Sequence, residues 1–246
     1  MAKKNPARID GIIDCACVIH SSGYDWTYVD RLYNMLNRHL SGGIRFHVYT
    51  EAHRPVPDHM IKHSLTDWPG IAGPRRSWWY KLQLFNPEHH AGNLLYLDLD
   101  MVLVRNIDWV RDLDPAQFWA IRDFKYLQRS HLTMINSSMM WFRVTEYSHV
   151  WQQFVASNIE QTSRRFPGDQ DYLAQVIDRR QQRFFEDRYF ESYRWQCLDG
   201  GFDFQQRQFR APGTGVAVSG DTSVIVFHGR PNPHESQDSL IVEHWK

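Results

Sequence analysis

Cysteine is scarce in this 246-residue chain, which carries three: Cys15, Cys17 and Cys197. So few cannot build a disulfide framework, and their scarcity favours a reducing compartment. Cys15 and Cys17 share one face of an apolar run and read as core fillers. Net charge is also missing. The 28 Lys and Arg residues balance 28 Asp and Glu, which argues against non-specific polyanion binding as the main task. The basic start MAKKNPARIDG is followed only by a short apolar run that carries Asp14. It predicts neither a signal peptide nor a membrane span, and a cytoplasmic location is expected. Repeats, low-complexity tracts and interdomain linkers are lacking as well. What is abundant is apolar surface, 42% of residues with 14% aromatic, enough for a sizeable core and against disorder. The expectation is an N-terminal tail over 1–10 and one α/β domain over 11–246.

The apolar patterns order that domain. Gly11 to His20 reads as a buried strand, followed by a small-residue turn, with Asp25 placed to cap a helix. Val29, Leu32, Tyr33, Leu36 and Leu40 then recur at helical spacing, Gly42-Gly43 end the helix, and Ile44 to Thr50 form a second strand. Strand, helix, strand opens a doubly wound sheet whose first turn is a natural nucleotide site. Glu51 to Arg76 reads as a long, proline- and histidine-rich loop. Ser77 to Asn86 predicts a short helix, Phe118 to Ile121 and Met134 to Phe142 two strands, and Glu146 to Gln161 an amphipathic helix. Asp169 is placed to cap a further helix, and Val224 to Phe227 is a last buried strand. Asn136, Ser137 and Ser138 interrupt an apolar strand, and buried polar groups need partners, so a site or a bulge is expected there.

The stretch Leu94 to Val104, LLYLDLDMVLV, is the centre of the argument. Its apolar start predicts a strand covered on both faces, and Asp98 and Asp100 follow at its carboxyl end. A spacing of two puts both carboxylates on one side. Open α/β sheets bind ligands at that edge, and a carboxylate pair there suits a hard cation that also grips a phosphate. The chain holds two other Asp-x-Asp pairs, Asp112/Asp114 and Asp169/Asp171, neither behind a buried-strand pattern. His228 also stands at a predicted strand end, so Asp98, Asp100 and His228 form a candidate metal set that suits Mn²⁺, with Mg²⁺ as the other option. Gly229-Arg230 behind it would bring backbone and a guanidinium to a diphosphate.

Two resemblances follow from these residues. The ordered segments VIHSSGYDWTYVDRLY, SWWYKLQLF, YLDLDMVLV, NSSMMWF, GDQDYL and FHGRPNPHE span about residues 15 to 235. Together they resemble bacterial and phage GT-A glycosyltransferases related to the glycogenin-like, family-8 group. That resemblance implies a GT-A, Rossmann-like α/β fold in a single domain, with a mixed, mostly parallel sheet flanked by helices. It implies transfer of a sugar from a nucleotide-diphosphate-sugar donor with Mn²⁺ or Mg²⁺, leaning to retention of configuration. Asp98, Asp100 and His228 would be the metal ligands. Donor contacts would fall to Ser21, Tyr24, Lys81, Asp98, Asn136, Ser137, Gly229 and Arg230. Asp169, Gln170, Asp171 and Asp123 would be the catalytic candidates. Glu51 and Asn232 depart from the family pattern, which often has Asp and Lys there. The acceptor stays open between glycan, lipid, protein and small molecule, with a hydroxylated DNA base as the minority reading because of the basic loop His53 to Arg76 and the pairs Arg164-Arg165 and Arg179-Arg180.

The second resemblance is to haloacid-dehalogenase-like phosphatases, where Asp98 would be a phosphorylated nucleophile and Asp100 the general acid. That motif usually opens its fold, whereas here a strand-helix-strand pattern precedes it. A non-catalytic nucleotide-sugar-binding protein is the third alternative.

Overall fold

The computed structural model describes residues 9–20, 23–71, 76–198 and 217–246, and the backbone of 202–203 and 208–209. Strand β1 (Ile13–Ile19) is followed by helix α1 (Trp26–His39), β2 (Ile44–Thr50) and β3 (Ile61–Ser64). Asp25 caps α1, its carboxylate accepting from the Thr27 amide at 2.9 Å, a bond of the kind that stabilises a helix by about 1 kcal/mol. Tyr28, Val29, Leu32, Met35 and Leu36 line the buried face of α1, so truncating Leu32 to alanine would cost roughly 2–5 kcal/mol. Gly42 ends the turn at a φ of +82°, and a Cβ there would meet the Gly11 carbonyl at 2.8 Å. Only glycine satisfies both conditions.

A 3₁₀ helix over Ser77–Phe85 leads to β4 (Asn93–Leu97), which breaks at the Asp-x-Asp turn before β5 (Met101–Leu103). Then come β6 (Phe118–Arg122), β7 (Ile135–Arg143), α2 (Val144–Ala156), α3 (Ile159–Arg165), α4 (Asp169–Val176), β8 (Gln182–Phe184) and β9 (Phe190–Ser192). The chain finishes with β10 (Phe202–Asp203), β11 (Gln208–Phe209), β12 (Val224–Val226) and α5 (Ser239–His244). The main sheet has the order β3-β2-β1-β4-β7-β6-β8, parallel except where β7 runs against β4 and β6. Two apolar layers cover its faces, one including α1 residues and the other the Ser77–Phe85 helix and α2.

The structure goes beyond or against the sequence expectations in four places. The loop over Glu51 to Arg76 contains β3, an edge strand whose exposed residues give no apolar signal. The expected helix over Glu146 to Gln161 is two helices, because Asn158 caps α3 through the Gln161 amide. The apolar run after Asp100 leaves the main sheet, and β5 pairs with β12 in a separate three-stranded sheet with β9. Gly168, not Asp169, is the N-cap of α4, and Asp169 is its first helical residue. The polar break in β7 coincides with a register shift opposite Ala120 and Ile121, so its strand does carry an irregularity. No helix among the described residues is long and apolar enough to cross a membrane.

Candidate active site

β1 and β4 are parallel neighbours, so their carboxyl ends open on the same edge, and the amino end of antiparallel β7 joins them there. The Asp98 amide donates to the Ser138 carbonyl at 2.7 Å, which carries the pairing one residue past β4. A cleft of about 330 Å³ opens at this edge, lined by Val18, His20, Tyr24, Ser77, Trp78, Lys81, Tyr96, Asp98, Leu99, Asp100 and Gly229. Asp98 and Asp100 therefore face one cavity from a turn, as their spacing predicts.

Lys81 is the hub. It is 8% exposed, with Nζ 2.8 Å from Asp98 Oδ1 and 3.7 Å from Asp169 Oδ2. Burial works against its charge, yet Asp169 and Asp98 hold its pKa above the usual lysine value. Tyr96 donates to Asp98 at 2.5 Å, and Ser137 donates to Asp169 at 2.6 Å. Tyr24 donates to Asp100 Oδ2 at 2.7 Å. Burial and the neighbouring Asp98 charge push the Asp100 carboxyl up to about 7. Among the described residues three carboxyl groups share the Lys81 ammonium, so ionising all three leaves an excess of negative charge that a divalent cation would offset. Asp98 and Asp100 thus fit a hard divalent ion on the chemistry of this structure.

A second cavity, of about 230 Å³, adjoins through His228-Gly229 and is lined by Asp123, Phe124, Lys125, Asn136, Gln170, Trp195 and His228. Gln170 reaches Asp123 Oδ2 at 3.4 Å, and Asp123 also accepts from the Lys125 amide at 2.8 Å. Asn136 accepts from the Ser138 amide at 2.9 Å. The His228 ring stacks on Phe124 and meets Trp195 edge-on, with Nε2 2.6 Å from Ser192 Oγ. Burial lowers its pKa to about 4, against the pull of Asp123.

The predicted residues thus divide. Tyr24, Lys81, Asp98, Asp100 and Gly229 line the first cavity, with Ser137 and Asp169 hydrogen-bonded or ion-paired behind it. Asp123, Asn136, Gln170 and His228 line the second. Asp98, Asp100 and His228 do not bring their ligand atoms within 4.8 Å of one another; among the described residues that holds only for Asp14, His47 and His90. Arg230 is 84% exposed at its side chain and pairs with Glu235 at 3.3 Å. Asp171 borders a shallow hollow with Asp178 and Arg179. Ser21 lies outside the described residues.

Sequence reasoning passed over His20, Ser77, Trp78 and Tyr96, all in the first cavity. Tyr96 was within reach, since it precedes Asp98 by two residues on the same strand face. His20 follows β1 as Asp98 follows β4, and its ring stacks on Tyr80 with centroids 3.7 Å apart.

The sequence matches no family profile and is not significantly similar to any curated protein. Solved structures are informative. The galactosyltransferase LgtC in complex with donor and acceptor sugar analogues superposes with a TM-score of 0.58 over 95% of this chain and 97% of that one, at 12% identity. The glycosyltransferase GlyE of Streptococcus pneumoniae TIGR4, in its apo form, gives 0.63 over 95% of this chain and 59% of its own, at 13% identity. This chain has the GT-A fold. An active-site mutant of LgtC agrees, with a TM-score of 0.59 over 92% and 91% of the two chains at 12% identity. Here the Asp-x-Asp turn comes after a strand-helix-strand unit, at the end of the central strand β4 and beside antiparallel β7. That order does not favour the phosphatase reading, whose motif opens its own fold.

Proposed function

We propose that the protein is a metal-dependent glycosyltransferase that moves a sugar from a nucleotide-diphosphate-sugar donor to an acceptor hydroxyl. The observation that carries this reading is the cleft at the carboxyl ends of β1 and β4, where Asp98 and Asp100 face one cavity with the buried Lys81 ammonium behind them. Asp98 and Asp100 would hold Mn²⁺ or Mg²⁺, which when bound offsets negative charge on a diphosphate. His228 would join them only by moving closer, because the ligand atoms of the three do not all lie within 4.8 Å of one another.

The chain's own groups supply the rest. Tyr24 and Lys81 orient the two carboxylates, and Lys81 is placed to balance charge that grows on the leaving diphosphate. Tyr24 also offers a ring to a base, and Gly229 brings backbone to the cleft wall. The adjoining cavity, with Asp123, Asn136 and Gln170, suits the hydroxyl groups of the donor sugar and the incoming acceptor, held in line by hydrogen bonds. Asp169 acts at one remove, through Lys81 and Ser137; Arg230 follows the cleft-lining Gly229, and Asp171 follows Gln170 of the adjoining cavity. Retention of configuration is the expected outcome. A carbohydrate or other small hydroxylated acceptor is favoured over a DNA base, given zero net charge.

The test is a thermal-shift and hydrolysis screen of the purified protein against nucleotide sugars, with Mn²⁺ and with chelator. Metal-dependent stabilisation by one donor, with slow release of its diphosphate, is expected. Turnover of an aryl phosphate without any donor response would hand Asp98 and Asp100 to a phosphatase. Donor binding without hydrolysis or transfer would make the protein a binding module.

A further inference from the structure

β1 carries polar groups at both ends. His20 follows its carboxyl end at the cleft, while Asp14 stands at its amino end, roughly 20 Å away at the usual rise per strand residue. Around Asp14 the sheet gathers histidines. His47 on β2 is 4% exposed, and its Nε2 lies 2.9 Å from Asp14 Oδ1. The His90 ring, from the turn before β4, meets the His47 ring edge-on with centroids 4.9 Å apart. Ligand atoms of Asp14, His47 and His90 all fall within 4.8 Å of one another.

We propose that Asp14, His47 and His90 form a second metal site, separate from the cleft, that takes a borderline divalent ion of the zinc type. Two imidazoles and one carboxylate are a donor set for Zn²⁺, with a fourth tetrahedral position left for water. The set is poor for Mg²⁺ or Ca²⁺, which prefer oxygen throughout. Tetrahedral zinc needs ligand atoms about 3.3 Å apart at the usual bond lengths. The His47 to Asp14 contact would open by only a few tenths of an ångström.

The surroundings hold each ligand in place. His47 Nδ1 lies 2.8 Å from His63 Nε2 on β3. With Nε2 on an ion, Nδ1–H donates to that neighbour, the outer contact that orients a ligating histidine. Arg45 grips both Asp14 oxygens, at 2.6 and 2.7 Å, and can keep Oδ2 while the ion shares Oδ1. His90 Nε2 lies 3.3 Å from the Asn93 carbonyl. An ion here ties β1 and β2 to the turn that feeds β4, and so braces the strand that presents Asp98. Its role is structural, and it stands independently of the reaction proposed for the cleft.

The experiment uses untagged, chelator-stripped full-length protein titrated with Co²⁺, read by its visible absorption, and with Zn²⁺ in competition with a chromophoric chelator. The wild type is expected to take one tight equivalent with an intense tetrahedral cobalt spectrum and to gain several degrees in Tm. His90→Ala changes a half-exposed turn residue and should weaken binding at least about 100-fold, while circular dichroism stays native. His63→Leu should weaken it about tenfold through the lost outer contact. Asp100→Asn should leave the spectrum and affinity unchanged. A wild type without the cobalt bands, a natively folded His90→Ala that keeps them, or an Asp100→Asn that loses them would each overturn the site.

Discussion

Two polar clusters interrupt the same sheet and answer burial in opposite ways. At the amino end of β1, Asp14 meets Arg45 and His47. Burial would raise its pKa, but hydrogen bonds from those two partners outweigh it and hold the carboxyl below its ordinary value. At the carboxyl end of β4, Lys81 is shared between Asp98 and Asp169, and Asp100 is left with a phenol. There burial and Asp98 prevail, and Asp100 rises to about 7. The first cluster is neutralised within the protein. The second carries stored electrostatic repulsion, and such repulsion persists where a ligand relieves it.

The sharpest way to break this comparison is to remove Lys81, the one Lys or Arg lining the cleft among the described residues. Lys81→Met would leave Asp98 and Asp169 facing each other without a counter-charge. Losing one partner of a buried pair costs about 3–5 kcal/mol, and equilibrium urea unfolding at pH 7 would read it. A change below 1 kcal/mol would mean that water already screens this group.

Asp100→Asn tests the repulsion directly, and its two effects have opposite signs. A carboxyl raised from 3.8 to about 7 binds more protons folded than unfolded between those values. Its ionisation therefore opposes folding increasingly as the pH rises from 3.8 to about 7, and the penalty is then constant at higher pH. Neutral asparagine removes that penalty, so the metal-free variant should be about 1–3 kcal/mol more stable at pH 8. If the proposed Mn²⁺-dependent transfer is the reaction, the same change should cut it about 10²–10³-fold, the scale of losing one preorganised electrostatic group. A gain in Tm with full activity would sink the metal assignment.

How much of this was legible depends on whether the signal was local. Leu94 to Leu97 announced a buried strand and Asp98 its end, because an apolar run that stops in carboxylates has few other uses. Asp25 was readable as a cap for the same reason. β3 was not, since its edge residues Ile61, Lys62 and Ser64 are exposed. Met101 to Leu103 looks no different from the run before it, yet pairs with β12, about 120 residues on. Partners of side chains were least accessible. Nothing near His228 in the sequence points to Ser192, and Asp14, His47 and His90 meet only because β1, β2 and the approach to β4 run side by side. Long-range packing decides these, and strand register across a sheet is not written in any one segment.

The next contrast is in pH. Burial lowers His39, His63 and His228 from 6.5 to about 4. The unfolded chain therefore binds more protons than the folded one between those values. Stability from these imidazoles is complete above pH 6.5, falls as the pH drops through the window, and is lost below about 4. Asp100 works the other way, relieving its own penalty on acidification. Melting temperatures from pH 7 to 4 should therefore fall in the wild type and fall more steeply in Asp100→Asn. Parallel curves would show that Asp100 titrates in the ordinary carboxylate range.

The smallest expected effect lies in the compensated cluster, and its smallness is the point. Arg45 is 58% exposed at its side chain while Asp14 is 11% exposed, so their pair is screened on one side by water. In the metal-free protein Arg45→Gln should cost under about 1 kcal/mol, because His47 still donates to Asp14 and glutamine still offers an amide. The ratio to Lys81→Met is what separates the two ends of the sheet. If both substitutions cost the same 3–5 kcal/mol in the metal-free protein, the amino-end cluster is as dependent on its cation as the cleft, and charge compensation does not distinguish the two ends of this sheet.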